Sequence, residues 1–258
     1  MMKEEMHVTR RRFGAVTAGS VLSLAFGAAC HGSDAQQGGN GRISARPSKA
    51  PVKGGSSPGA RPLGLASGRD ALVQMPANAT GSTLPLLVLL HGAGGSGAGI
   101  LKRLGSAADQ AGMAVLSPDS RDGTWDAIRG FFGPDVTFLN RALERVFETL
   151  PVDPARVTVG GFSDGATYAL SLGLINGDLF RRILAFSPGF IVEGSLHGKP
   201  RIFVSHGTAD PILPIDRCSR VIVSGLKKSG YDVTYREFEG GHTVPPEIAA
   251  EGMRWAVE

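Results

Sequence analysis

Apolar positions in this chain come in short runs separated by longer stretches of helical period. Residues 84–90, Leu-Pro-Leu-Leu-Val-Leu-Leu, form a continuous apolar run, the pattern of a strand covered on both faces. Shorter runs at 70–75, 113–116, 157–160, 183–186, 202–205 and 233–238 read as further strands. Between 134 and 150, Val136, Leu139, Leu143, Val146 and Leu150 recur on one face of a helix. Helices are also expected at 97–112, 164–176, 216–229 and 246–257. Strands that alternate with helices imply right-handed crossovers. The expected class is α/β, a mostly parallel central sheet with helices on both faces. In such sheets chemistry collects at the carboxyl ends of the strands.

The first sixty residues do not share this pattern. Thr9-Arg10-Arg11-Arg12-Phe13 is followed by a Gly/Ala-rich apolar run to Ala29, so residues 1–29 read as a signal peptide of the twin-arginine type. The run is too short and glycine-rich for a membrane span. Phe26-Gly27-Ala28-Ala29-Cys30 is similar to a bacterial lipoprotein cleavage box, with Gly27 where leucine is usual. Cys30 is therefore the candidate lipidation site, and with it membrane attachment at the cell envelope or periplasm. Residues 30–61 are Gly, Ser, Pro, Ala, Gln and scattered bases, too poor in aliphatic side chains to offset chain entropy, and read as a flexible linker. That leaves 62–258 as the folded domain.

Charge follows the same division. The net +4 of the 258 residues is made of +2 in 1–29 and +4 in 30–61, which leaves −2 for the rest. The folded part is slightly acidic, so the basic excess is no argument for a nucleic-acid partner. Cys30 and Cys218 are the only cysteines and supply no disulfide framework.

Four segments carry candidate chemistry. Gly161-Phe162-Ser163-Asp164-Gly165 lies between an expected strand and an expected helix, where a sharp turn exposes a serine nucleophile at a helix N-terminus. Asp210, just past the 202–205 strand, can orient an imidazole and stabilise its charged form; Asp216 is its rival. His242 stands in a glycine loop after the last strand and is the candidate base, with His206 as competitor. His91 and His206 suit structural roles, and His197 a surface loop. Leu89-Leu90-His91-Gly92-Ala93-Gly94-Gly95 follows the longest apolar strand, and Ala93 N–H and Asp164 N–H are the candidate oxyanion donors. No Lys-Ser/Thr pair follows that loop, so it is not a phosphate cradle. No metal or cofactor motif is found elsewhere. Between 121 and 134, Trp125, Phe131 and Phe132 are candidates for an apolar substrate rim.

These motifs, in this order, resemble the phospholipase/carboxylesterase branch of the α/β-hydrolases, over roughly residues 71–258. The resemblance implies an α/β-hydrolase fold and a serine ester hydrolase with a Ser163–Asp210–His242 triad. It implies an acyl-enzyme, a small-molecule ester substrate and no cofactor. The branch commonly has Gln after the nucleophile; Asp164 stands there, and its carboxylate is expected to oppose anionic substrates. Dienelactone hydrolases and secreted polyester or feruloyl esterases are similar in size or motif. An amidase or peptidase could use the same triad, and a non-catalytic envelope lipoprotein is the alternative from another class. Residues 187–200 are too few for a helical lid, so no large cap is expected. A monomer or weak oligomer is expected.

Overall fold

The apolar run Leu84–Leu90 becomes a strand with every residue buried, and it lies mid-sheet. The structure is a computed structural model, and it describes residues 39–47, 57–79 and 83–258. The signal-peptide segment 1–29 and Cys30 lie outside the described residues. In chain order the elements are β1 (Gly59–Pro62), β2 (Ala71–Met75), β3 (Leu84–Leu90), α1 (Gly97–Gln110), β4 (Ala114–Pro118), α2 (Asp126–Arg129) and α3 (Pro134–Thr149). Then come β5 (Val152–Phe162), α4 (Asp164–Ile175), β6 (Arg182–Phe186), β7 (Arg201–Gly207), α5 (Ser219–Lys228), β8 (Val233–Phe238) and α6 (Pro246–Val257).

The strands form one sheet in the order β1-β2-β4-β3-β5-β6-β7-β8. β1–β2 and β2–β4 pair antiparallel; all other pairs are parallel. Helices α1 and α6 pack with Leu87, Leu89, Val115, Phe186 and Phe203 on one face. On the other face α3, α4 and α5 pack with Leu86, Val88, Leu116, Val159 and Val204. Because β3 and β5 to β8 run in parallel, the loops that follow them emerge at one edge. Among the described residues no helix is long and apolar enough to cross a membrane.

Helix α4 is apolar all round, and every residue from Gly165 to Ile175 is buried. Such a helix needs cover on its outer side as well as the sheet beneath it. Part of that cover comes from residues 39–47, which corrects the expectation of a flexible linker over 30–61. Ile43 is 1% exposed and Ala45 is buried. Asn176 Oδ1 accepts Ile43 N–H at 2.9 Å, and its Nδ2 donates to Gly41 O at 2.8 Å. Asn140 Oδ1 accepts Ser44 N–H and Ala45 N–H. Arg42 and Arg46 both pair with Asp178, and the guanidinium groups hold its carboxyl well below the usual carboxylate range. One isoleucine suffices because the backbone is bound by side chains about a hundred residues away. β1 is the second departure from a linker: Gly59–Pro62 pairs with β2 as an exposed edge strand.

Candidate active site

Three side chains meet at the carboxyl edge. His242 Nδ1–H donates to Asp210 Oδ2 at 2.6 Å, and Ser163 Oγ–H donates to His242 Nε2 at 2.8 Å. Asp210 Oδ1 accepts Ile212 N–H and Leu213 N–H, both at 2.9 Å. Burial alone would raise the Asp210 pKa, but these backbone donors and His242 outweigh it and hold the carboxyl below its ordinary value. The loops that carry Asp210 and His242 fit closely: a Cβ on Gly207 would lie 2.3 Å from Gly241 O. The rival Asp216 is turned outward and pairs with Arg220 at 2.6 Å.

Ser163 sits between β5 and α4 at φ 59°, ψ −122°, a conformation rare for any residue but glycine. Its N–H donates to Phe186 O at 3.0 Å, which pins the turn to β6. Neither Gly161 nor Gly165 has a positive φ. They are required by closeness: a Cβ on Gly165 would stand 2.2 Å from Leu90 O, and one on Gly161 would stand 2.5 Å from Gly165 C. The strain therefore falls on the serine and the glycines make room for it. Ala93 N–H and Asp164 N–H have no acceptor among the described residues. Asp164 N–H opens the twelve-residue α4, whose dipole favours negative charge.

The fold and this triad can be set beside known proteins. The family model described as Phospholipase/Carboxylesterase matches residues 137–253. The crystal structure of esterase PE8 superposes with a TM-score of 0.59 at 23% identity, covering 71% of this chain and 95% of that one. The fold is that of the α/β-hydrolases. Among curated relatives, acyl-protein thioesterase 1 of Gibberella zeae is 32% identical over 104 residues, 36% of this chain and 44% of the relative. Feruloyl esterase C of Emericella nidulans is 28% identical over 182 residues, 64% of this chain and 66% of the relative. The chain thus spans less than two thirds of the length of either.

Around these three side chains the other histidines take the places expected of them. His206 is wholly buried behind Asp210: its Nε2 lies 2.7 Å from Leu213 O and 3.2 Å from Asp210 Oδ2, and its Nδ1 lies 2.5 Å from Ser219 Oγ. Burial lowers its pKa, so the ring is neutral, with the proton on Nε2 facing both acceptors and Nδ1 accepting from Ser219. It contacts Asp210 and makes no hydrogen bond to Ser163. His91 is structural too: Nδ1–H donates to Gly92 O at 2.7 Å, Nε2 accepts Ser120 N–H at 3.0 Å, and burial lowers its pKa. His197 is exposed. Thr124 Oγ1–H donates to Asp164 Oδ2 at 2.6 Å. This tie lies forty positions apart in sequence and had no local signal.

The apolar rim expected from Trp125, Phe131 and Phe132 is corrected. Trp125 is wholly buried, its Nε1–H donates to His91 O at 2.8 Å, and its ring lies 4.9 Å from His91 and 5.1 Å from Tyr168. Phe132 is buried against Tyr168. Only Phe131 faces solvent, 76% exposed. The segment curls through α2, so residues 125 and 132 both turn inward. The same segment is tied by carboxylates: Asp126 Oδ1 accepts Tyr168 O–H, and Asp135 accepts Arg121 N–H and Asp126 N–H. Burial pushes the Asp135 carboxyl up to about 6.

Proposed function

We propose that the protein is an exported serine hydrolase of carboxylic esters that works through an acyl-enzyme. The observation that carries this reading is the unbroken line Asp210–His242–Ser163, with contacts of 2.6 and 2.8 Å. His242 takes the Ser163 proton as the serine oxygen attacks the ester carbonyl. Ala93 N–H and Asp164 N–H receive the developing oxyanion. Collapse expels the alcohol, which takes the proton from His242 Nε2. Water then attacks the acyl-serine, His242 again acting as base, and the acid is released with Ser163 restored. Asp210 holds the imidazole in the Nδ1–H tautomer throughout. Relatives named as esterase and thioesterase and the match over 137–253 support an acyl-transfer chemistry. Export rests on the twin-arginine pattern at Arg10–Arg11, and envelope attachment on Cys30.

The test is a fluorophosphonate probe together with an aryl acetate assay. Wild-type protein should label once per chain, at Ser163. Ser163→Ala should lose label and on the order of 10⁶ in kcat. A variant that keeps a tenth of wild-type turnover would overturn the assignment, and a wild-type protein that neither labels nor turns over ester would be a binding protein instead.

A further inference from the structure

Beside Ser163 the surface opens into a cavity of about 260 Å³. Its walls are the loop over 92–95, the first turn of α1, Phe162 and Arg103. The loop wall reaches the nucleophile, since a Cβ on Gly92 would be 3.2 Å from Ser163 Cβ. Arg103 is exposed, and its Cζ stands 5.0 Å from the centroid of the Phe162 ring. That same ring packs against His242, with centroids 4.7 Å apart.

The charge of Arg103 is unspent. Arg42, Arg129, Arg156, Arg201, Arg220 and Arg236 all pair with carboxylates, whereas Arg103 has no such partner among the described residues. Asp119 accepts Gly97 N–H at 2.6 Å and Asp164 accepts from Thr124. Neither lines the cavity. A guanidinium resting on an aromatic face keeps its fork of N–H donors free, and that fork matches a carboxylate in two parallel hydrogen bonds. The position also has a side. His242 Nε2 must protonate the leaving oxygen, so the alcohol half of an ester lies by the imidazole. Phe162 lies against that imidazole, and Arg103 against Phe162.

We propose that this cavity is the leaving-group subsite and that Arg103 selects esters whose alcohol or phenol half carries a carboxylate. The proposal rests on Ser163 as nucleophile and His242 as proton donor. The Asp164 carboxylate, which accepts from Thr124, does not line this cavity.

The experiment compares 4-nitrophenyl acetate with 3-carboxy-4-nitrophenyl acetate on purified protein. The ratio of kcat/KM, charged over neutral, should fall about tenfold in Arg103→Gln and about a hundredfold in Arg103→Glu, the scale of a lost and a reversed charged hydrogen bond. Arg103→Lys should keep only part of the ratio, because the charge remains but the two-pronged fork is lost. A second measurement needs no turnover. On Ser163→Ala protein, the dissociation constant of the carboxylated nitrophenol should rise about tenfold when Arg103→Gln is added. Ratios and dissociation constants that do not move with residue 103 would overturn the proposal. Full turnover by Ser163→Ala would instead overturn the nucleophile, and the binding measurement would still decide the role of Arg103.

Discussion

A serine held at φ 59°, ψ −122° costs on the order of 1–3 kcal/mol, and it persists because its neighbours leave the turn no alternative. Gly161 and Gly165 let β5, α4 and β3 approach within distances that any side chain would forbid, and Phe186 O fixes the Ser163 amide. The acid is over-determined in the same way, by Ile212 N–H, Leu213 N–H, His206 and His242 together. This separates the two aspartates that sequence left as rivals. Asp210→Asn should lower kcat by about 10⁴, because the amide stabilises the wrong imidazole tautomer. Asp216→Asn should be nearly silent, since that carboxylate is 76% exposed and touches only Arg220. Steady-state assays of both variants check this; a larger loss at 216 than at 210 would move the acid.

At the scale of elements, residues 39–47 act as a strap over the end of α4, and the 119–135 segment as the wall behind the oxyanion loop. The two are in contact, for Gly41 lies against the Phe132 ring and Ile175. Trp125 links the wall to the loop through His91 O. The strap is held by backbone hydrogen bonds to Asn140 and Asn176, so its stability should depend on those amides more than on Ile43. Asn140→Ala removes the acceptor of two backbone N–H groups and should cost about 1–2 kcal/mol. Trypsin reports it directly, because the Arg42–Ile43 bond lies within the strap. Cleavage there should be slow in wild-type protein and several-fold faster in Asn140→Ala. Equal rates would mean that the strap does not depend on Asn140.

For the whole molecule, the decisive feature is how little covers the carboxyl edge. The β6–β7 connection contains no helix over 187–200, so this segment supplies no helical cap over Ser163. A long acyl chain would leave methylenes in water, each forgoing about 0.8 kcal/mol of binding. Activity should therefore be highest on short acyl esters, with no rise in rate as substrate passes its solubility limit. A series of aryl esters from acetate to dodecanoate checks this, and faster turnover of long-chain emulsions would point to an apolar surface that gathers such chains.

Much of this was already determined by the sequence. The seven-residue run at Leu84–Leu90 and the helical period of Val136 to Leu150 settle which segments are strand and helix, because burial on two faces or on one stripe imposes those periods. The order Ser163, Asp210, His242, each just past a strand, brings these three side chains together, because parallel strands deliver their following loops to one edge. Tertiary structure alone decided the rest. Ile43 and the strap gave no periodic signal, since their bonding partners are Asn140, Asn176 and Asp178. Trp125 and Phe132 could not be told from a rim, because their burial depends on Tyr168, His91 and Gly41, distant in sequence. The placing of Arg103 over the Phe162 ring exists only in three dimensions, since α1 and β5 bring together residues far apart in sequence.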